Sequence, residues 1–159
     1  MPSESRICLW FDRDAVDAAH FYAQTFPDSA VGTVMRAPSD YPDGRAGDVV
    51  TVEFTVAGLP CVGINGGPVL PRSEAFSFQI VTEDQPETDR LWRAVIDNGG
   101  TPSECGWCKD RWGVSRQITP QVLLDGLADA DPAVAKRVFD TMMTMSKIDI
   151  EAIEVARAG

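Results

Sequence analysis

Two stretches of this chain echo each other at a spacing of 70 residues (84 − 14). Asp14 and Asp84 each stand where a helix opens, and the same shift lays Ile7 on Ser77, Leu9 on Gln79, Asp17 on Glu87, Phe21 on Leu91 and Tyr22 on Trp92. Identity is low, but strand, helix and further strands follow in the same order. That is the signature of two related modules in one domain. The expectation is an α+β fold in a single domain, residues 1–159, with module one over about 5–68, module two over about 75–120 and a helical extension over 121–159.

Residues 6–11 form a continuous apolar run of strand length, expected to be buried with either face covered. Asp14 is a helix cap, Val16, Ala19, Ala23 and Phe26 recur at helical spacing, and Pro27 stops the helix. Strands are expected over 31–37, 48–56 and 59–65, with 38–47 as either a solvated connection or a lid. In the second of these strands Val50, Val52, Phe54 and Val56 share one face, which leaves Glu53 on the other as a pocket group or a solvated edge charge. The turn Asn65-Gly66-Gly67-Pro68 suits a sharp reversal or a close approach of backbone to a ligand.

Module two opens with a strand over 75–81, where Phe76, Phe78 and Ile80 oppose Ser77, Gln79 and Val81. Pro86 starts a helix carrying Leu91, Trp92 and Val95, and Asn98-Gly99-Gly100 ends it. A weak strand over 101–105 precedes a hairpin over 106–120, closed by the turn Asp110-Arg111-Trp112-Gly113. On its second arm Ser115 and Gln117 share one face and Val114, Arg116 and Ile118 the other. Beyond Pro120 the pattern is helical. Val134, Val138, Met142 and Met145 form a stripe after Asp131-Pro132, and 147–158 reads as a tail that docks on something, with a second copy of the chain as one option.

Charge narrows the partners. With 14 basic and 24 acidic residues the net charge is −10, which repels phosphate backbones and anionic lipid headgroups, so neither nucleic acid nor membrane is expected. No apolar run is long enough to span a bilayer, and charges stand where a signal peptide would be apolar; the expected location is the cytoplasm. Cys105-Gly-Trp-Cys108 has the spacing of a redox pair or half a zinc site. It lies in strand-forming sequence without a second close pair, so ordinary reduced cysteines are expected. His20, the one histidine, is read as a surface or packing residue.

ICLWFDRDAVDAAHFYAQTF, INGGP at residues 64–68, FSFQIVTEDQPETDRLW, GWCKDRWGVSRQITP and FDTMMTMSKIDIEAIEVA together resemble the PhnB-like proteins. These belong to the vicinal oxygen chelate superfamily of glyoxalase, bleomycin-resistance and dioxygenase relatives, and many carry the label 3-demethylubiquinone 3-methyltransferase-like. The resemblance covers nearly the whole chain. It implies paired βαβββ modules around a pocket, in a homodimer. In metal-using members of the superfamily, ligands come from the first strand of each module and from a glutamate on the last hairpin; those positions fall here near Ile7, on Ser77 and on Gln117. An aliphatic chain, a hydroxyl and a neutral amide hold a divalent cation poorly, so no bound metal is expected. A donor such as S-adenosylmethionine wants a glycine-rich turn leading into a helix, and residues 63–67 do not, so no cofactor is expected either. Arg116 departs from the family hairpin; a buried guanidinium needs a partner, so Arg116 either reaches solvent or pairs with an acid such as Glu53.

The expected function is that of a small-molecule-binding protein, with Trp10, Asn65, Ser77, Gln79, Trp107, Ser115 and Gln117 lining the ligand pocket. The alternatives are a lyase, isomerase, dioxygenase-like enzyme or methyl transferase using Glu53 or Asp110 as a general base, and a dimeric scaffold without a ligand. Whether the chain is an enzyme stays open at this level.

Overall fold

A computed structural model describes residues 4–159. The chain divides into two compact units, the first ending at Pro71 and the second running Arg72–Gly159.

The first unit is β1 (Ile7–Phe11), α1 (Ala15–Thr25), β2 (Ala30–Arg36), β3 (Val49–Val56) and β4 (Leu59–Asn65). Its sheet has the order β1-β4-β3-β2, with β1 and β4 parallel and the other pairs antiparallel. Leu9, Phe11, Val52, Phe54, Val56 and Cys61 are buried together with Ala15, Ala18, Ala19, Tyr22 and Phe26 of α1 and its C-cap. Small residues let the helix approach closely: a Cβ on Gly63 would lie 3.0 Å from the Ala15 Cβ. Tyr22 fills the remaining space, its ring centroid 5.8 Å from that of Phe54. Val16 and Ala23, expected in the stripe, are only half-buried, because the alanine face and Tyr22 turn to the sheet instead. The run 6–11 was expected to be covered on both faces. β1 is instead the edge of its unit's sheet and alternates, with Cys8 exposed between half-buried Ile7 and buried Leu9.

The second unit repeats the plan with β5 (Ser77–Thr82), α2 (Gln85–Asp97), β6 (Thr101–Pro102), β7 (Trp107–Lys109) and β8 (Ser115–Pro120), in the order β5-β8-β7-β6. Asp84 caps α2 by accepting a hydrogen bond from Glu87 N at 2.9 Å, while Glu87 accepts one from Glu83 N at 2.9 Å. Thr82 and Thr88, both buried, share a 2.7 Å hydrogen bond that ties β5 to α2. The two four-stranded sheets with five helices match the expected α+β architecture of paired βαβββ modules and C-terminal helices.

Those last helices are α3 (Gln121–Leu127), α4 (Pro132–Met142) and α5 (Ile150–Ala158), packed around Leu123, Val138, Ile148 and Ile153. The tail docks on its own unit. The Gln85 side chain of α2 donates to Ile148 O at 3.1 Å and accepts from Ile150 N at 2.8 Å, and Lys147 pairs with Asp89 at 2.6 Å. Cys105 N and Gly106 N donate to Met145 O and Ser146 O at 2.8 and 2.7 Å. Among the described residues no helix is long and apolar enough to cross a membrane.

The modules repeat, but not at one constant offset. The helix caps Asp14 and Asp84 keep the spacing of 70 residues, whereas the strands match at 71 (82 − 11), since β1 ends at Phe11 and β5 at Thr82. Module one therefore has one more residue between strand and helix. Arg13, with φ 72, adopts the left-handed conformation in that longer connection. A slip of one residue moves every strand side chain to the opposite face. Ile7 thus matches Phe78 rather than Ser77, and the residues matching Ser77 and Gln79 are Arg6 and Cys8.

Candidate functional site

Alternation along β5 buries Phe78, Ile80 and Thr82 toward α2, and the other face carries two rows of polar side chains across the second sheet. Pairing aligns Ser77, Ser115 and Lys109 in one row and Gln79, Gln117 and Trp107 in the next. Gln79 Nε2 donates to Gln117 Oε1 at 3.3 Å, and Gln117 Nε2 donates to Ser77 Oγ at 2.9 Å. The amides thus form a hydrogen-bonded chain that ends on the Ser77 hydroxyl. Ser115 is 2% exposed and its Oγ has no hydrogen-bond partner. It lines a cavity of about 260 Å³ with Trp107, Lys109, Glu74, Glu104 and Cys105.

The remaining candidates separate. Trp10 and Asn65 lie in the first unit, on a cavity of about 450 Å³ that also includes Tyr41, Arg13 and Gly66. Trp10 Nε1 donates to Gly67 O at 2.8 Å, and a Cβ on Gly66 would fall 2.0 Å from the Trp10 ring, so the glycine seats the indole. Asn65 is a strut: its Oδ1 accepts from Ala15 N at 3.0 Å at the start of α1, and its Nδ2 donates to Val49 O at 3.2 Å. Glu53 borders another first-unit cavity of about 440 Å³ and pairs with Arg6 at 2.5 Å. Hydrogen bonding to Glu53, then Glu4, raises the Arg6 pKa. Tyr41 and Gly44 bridge within the 38–47 connection.

Asp110 is 4% exposed, and its carboxylate organises the hairpin turn. Its Oδ1 accepts from Trp112 N and Val114 N, both at 3.0 Å, and its Oδ2 faces Arg116 Nη2 at 3.3 Å. Arg116 does not reach solvent, and the acid it pairs with is Asp110. The strand period places it on the α2 side, fully buried, with its guanidinium carbon 4.8 Å from the Phe78 ring centroid. Cys108 lies beside this pair, and burial pushes its thiol up to about 12, the nearby Arg116 charge opposing the shift. A thiol that holds its proton this tightly is a poor nucleophile and a poor metal ligand.

The sheet face around the hairpin carries Ser77, Gln79 and Gln117, which offer hydroxyl and amide oxygens without anionic or imidazole ligands. Among the described residues no group of three His, Cys, Asp or Glu side chains could hold a metal ion. The residues present do not fit a strongly bound divalent cation. After β4, Gly66 and Gly67 lead into turns and an extended stretch to β5 rather than into a helix. Lys109 and Glu74, ion-paired at 2.6 Å, were not anticipated. Pairing Lys109 with Ser115 across the hairpin, which the turn length already allowed, was the available signal for that row.

A family profile described as 3-demethylubiquinone-9 3-methyltransferase matches residues 3–119. Among solved structures, the PhnB protein from Bacillus cereus is 24% identical with a TM-score of 0.65, covering 74% of this chain and 99% of its own. Protein PA1353 from Pseudomonas aeruginosa is 16% identical with a TM-score of 0.59, covering 75% and 98%. The fosfomycin resistance protein FosX from Listeria monocytogenes is 15% identical with a TM-score of 0.54, covering 81% and 99%. At these identities the likeness is one of fold. No curated protein matches the chain.

Proposed function

This chain belongs to the 3-demethylubiquinone-9 3-methyltransferase family, the PhnB-like branch of the vicinal oxygen chelate superfamily, and from that premise we propose that it binds a small molecule without a strongly held metal. The ligand lies on the open face of the second sheet, against the row Gln79, Gln117 and Trp107 and the neighbouring Ser77. The observation that carries this reading is the oriented hydrogen-bond chain through Gln117, which places a neutral amide at the centre of that face. A flat or amphipathic ligand suits an aromatic wall beside amide and hydroxyl groups.

The test is a thermal-shift screen of planar aromatic and quinone-like compounds, run with EDTA and again with manganese or zinc. A ligand at 100 times its Kd adds about 2.7 kcal/mol of stability, enough to move Tm by several degrees. The expected result is a shift unaffected by EDTA and lost in Gln117→Ala. A shift that needs the metal, or one that survives Gln117→Ala, overturns the reading.

We also take the protein to act as a homodimer in a reducing compartment such as the cytoplasm. The free cysteines Cys8, Cys61, Cys105 and Cys108 support the compartment, and the exposed edge strand β2, with Val34 and Met35 outward, supports self-association. Sedimentation equilibrium giving a 17.3 kDa monomer at micromolar concentration would refute the dimer.

A further inference from the structure

We propose that the cavity of about 450 Å³ at one end of the first unit's sheet is a ligand site in its own right, and that it takes a zwitterion of the amino-acid class carrying a flat ring. Its lining residues all belong to the first unit, so the inference does not rest on the binding face of the second sheet.

The walls are fixed before any ligand arrives. Trp10 stands near the end of β1, its ring lying over Gly66 and its Nε1 donating to Gly67 O at 2.8 Å. Tyr41 belongs to the 38–47 connection and is 37% exposed; its ring lies over Gly44, where an added Cβ would fall 2.2 Å from the phenol carbon and oxygen. That connection is tied down along its length. Tyr41 and Gly44 exchange backbone hydrogen bonds at 3.0 and 3.1 Å, Asp40 Oδ1 accepts from Ala46 N and Asp48 Oδ2 from Arg45 N, both at 2.9 Å, and Ala37 N donates to Asp48 O at 2.8 Å. Two aromatic rings, each seated on a glycine, give the flat part of a ligand a preformed surface that needs little further ordering.

The charges select what else the ligand carries. Arg13 and Asp43 line this one cavity, and among the described residues neither enters an ion pair or a side-chain hydrogen bond. Opposite charges that share a cavity without closing on each other leave room for a ligand that meets both. A carboxylate answers Arg13, and an ammonium answers Asp43 and Asp48; a ligand with a single charge leaves one side unmet. Arg13 also stands in the connection that is one residue longer in module one than in module two, at φ 72, a conformation that glycine adopts more freely. A charged side chain kept at such a backbone position on the rim of a cavity points to a role in binding.

Three probes of one shape test this: phenylalanine, phenethylamine and hydrocinnamate, titrated by calorimetry into the full chain at low salt. Phenylalanine is expected to bind about fivefold more tightly than either singly charged probe, the gain that one partly exposed charge contact supplies. Arg13→Gly relieves the backbone at φ 72 while freeing the unfolded chain, so Tm is expected to stay nearly unchanged. The same variant is expected to weaken phenylalanine and hydrocinnamate about fivefold and to spare phenethylamine. Asp43→Asn is expected to weaken phenylalanine and phenethylamine and to spare hydrocinnamate. Residues with a purely structural role would not produce that crossed pattern. Binding is expected to change the tryptophan emission, and the change to be absent in Trp10→Phe. Phenethylamine binding as tightly as phenylalanine, affinities unmoved in both charge variants, or silence from all three probes at millimolar concentration overturns the inference. Binding that is lost in Gln117→Ala but not in Arg13→Gly assigns the probe to the second sheet, which overturns this site and leaves the proposed binding face standing.

Discussion

Asp110→Asn is the substitution that most directly tests how the hairpin is held. The asparagine keeps an oxygen that can accept from Trp112 N and Val114 N, both at 3.0 Å from Asp110 Oδ1, so the turn itself has no reason to open. What is lost is the negative charge 3.3 Å from Arg116 Nη2, in a pair whose side chains are 1% and 0% exposed. Removing one member of a buried ion pair costs about 3–5 kcal/mol, because the other charge stays desolvated beside a neutral group. With the two turn hydrogen bonds retained, a loss of about 3 kcal/mol is expected. At a urea slope of about 2 kcal/mol per molar, the midpoint falls by about 1.5 M. Arg116→Met in the same background removes the stranded cation and keeps a long flexible chain against Phe78, so the double variant is expected to recover at least half of the loss. Urea unfolding followed by circular dichroism on wild type, both single variants and the double measures the coupling directly. An Asp110→Asn cost below about 1 kcal/mol, or a double variant no more stable than Asp110→Asn alone, would refute the assignment of this carboxylate as a structural counter-charge.

Two further predictions concern the thiols and the indoles. The unfolded Cys108 thiol ionises near its ordinary 9.0, while the folded one holds its proton to about 12. Folding stability is therefore undiminished by this group below pH 9 and falls as pH rises through that window, and Cys108→Ala removes that component. Tm measured against pH for both proteins checks it, and parallel curves would argue against the buried thiol. Gly66→Ala places a methyl where the Trp10 ring sits, 2.0 Å away. The ring has to move off Gly67 O, and a change in tryptophan emission absent from a Trp10→Phe background is expected; an unchanged spectrum would count against the contact.

Much of the architecture was legible because it rests on local chemistry. The alternation of Val52, Phe54 and Val56, the caps at Asp84 and Asp131, and Pro27 past the end of α1 each act within a few residues of themselves. The turn from Asp110 to Gly113 was equally plain, since an aspartate side chain and a closing glycine suffice to make it. The candidate site was legible in part. Ser77, Gln79, Trp107, Ser115 and Gln117 share one sheet face because the strand period and the hairpin register together require it. Trp10 and Asn65 stand on a separate cavity in the first unit, where Asn65 spends its amide on α1 and β3.

The chain's own order of residues determined which segments are strands and helices, that they come in two like modules, and that the hairpin presents the neutral amide of Gln117 on the face it shares with Ser115. Only the folded molecule decided which face each residue of β1 shows, because the extra residue at Arg13 shifts the strand against its counterpart and period-2 structure turns a single step into an inversion. It also decided that Arg116 goes inward to Asp110 and that Ser115 is enclosed without a partner. Those outcomes depend on packing between segments distant in sequence, which no local pattern encodes.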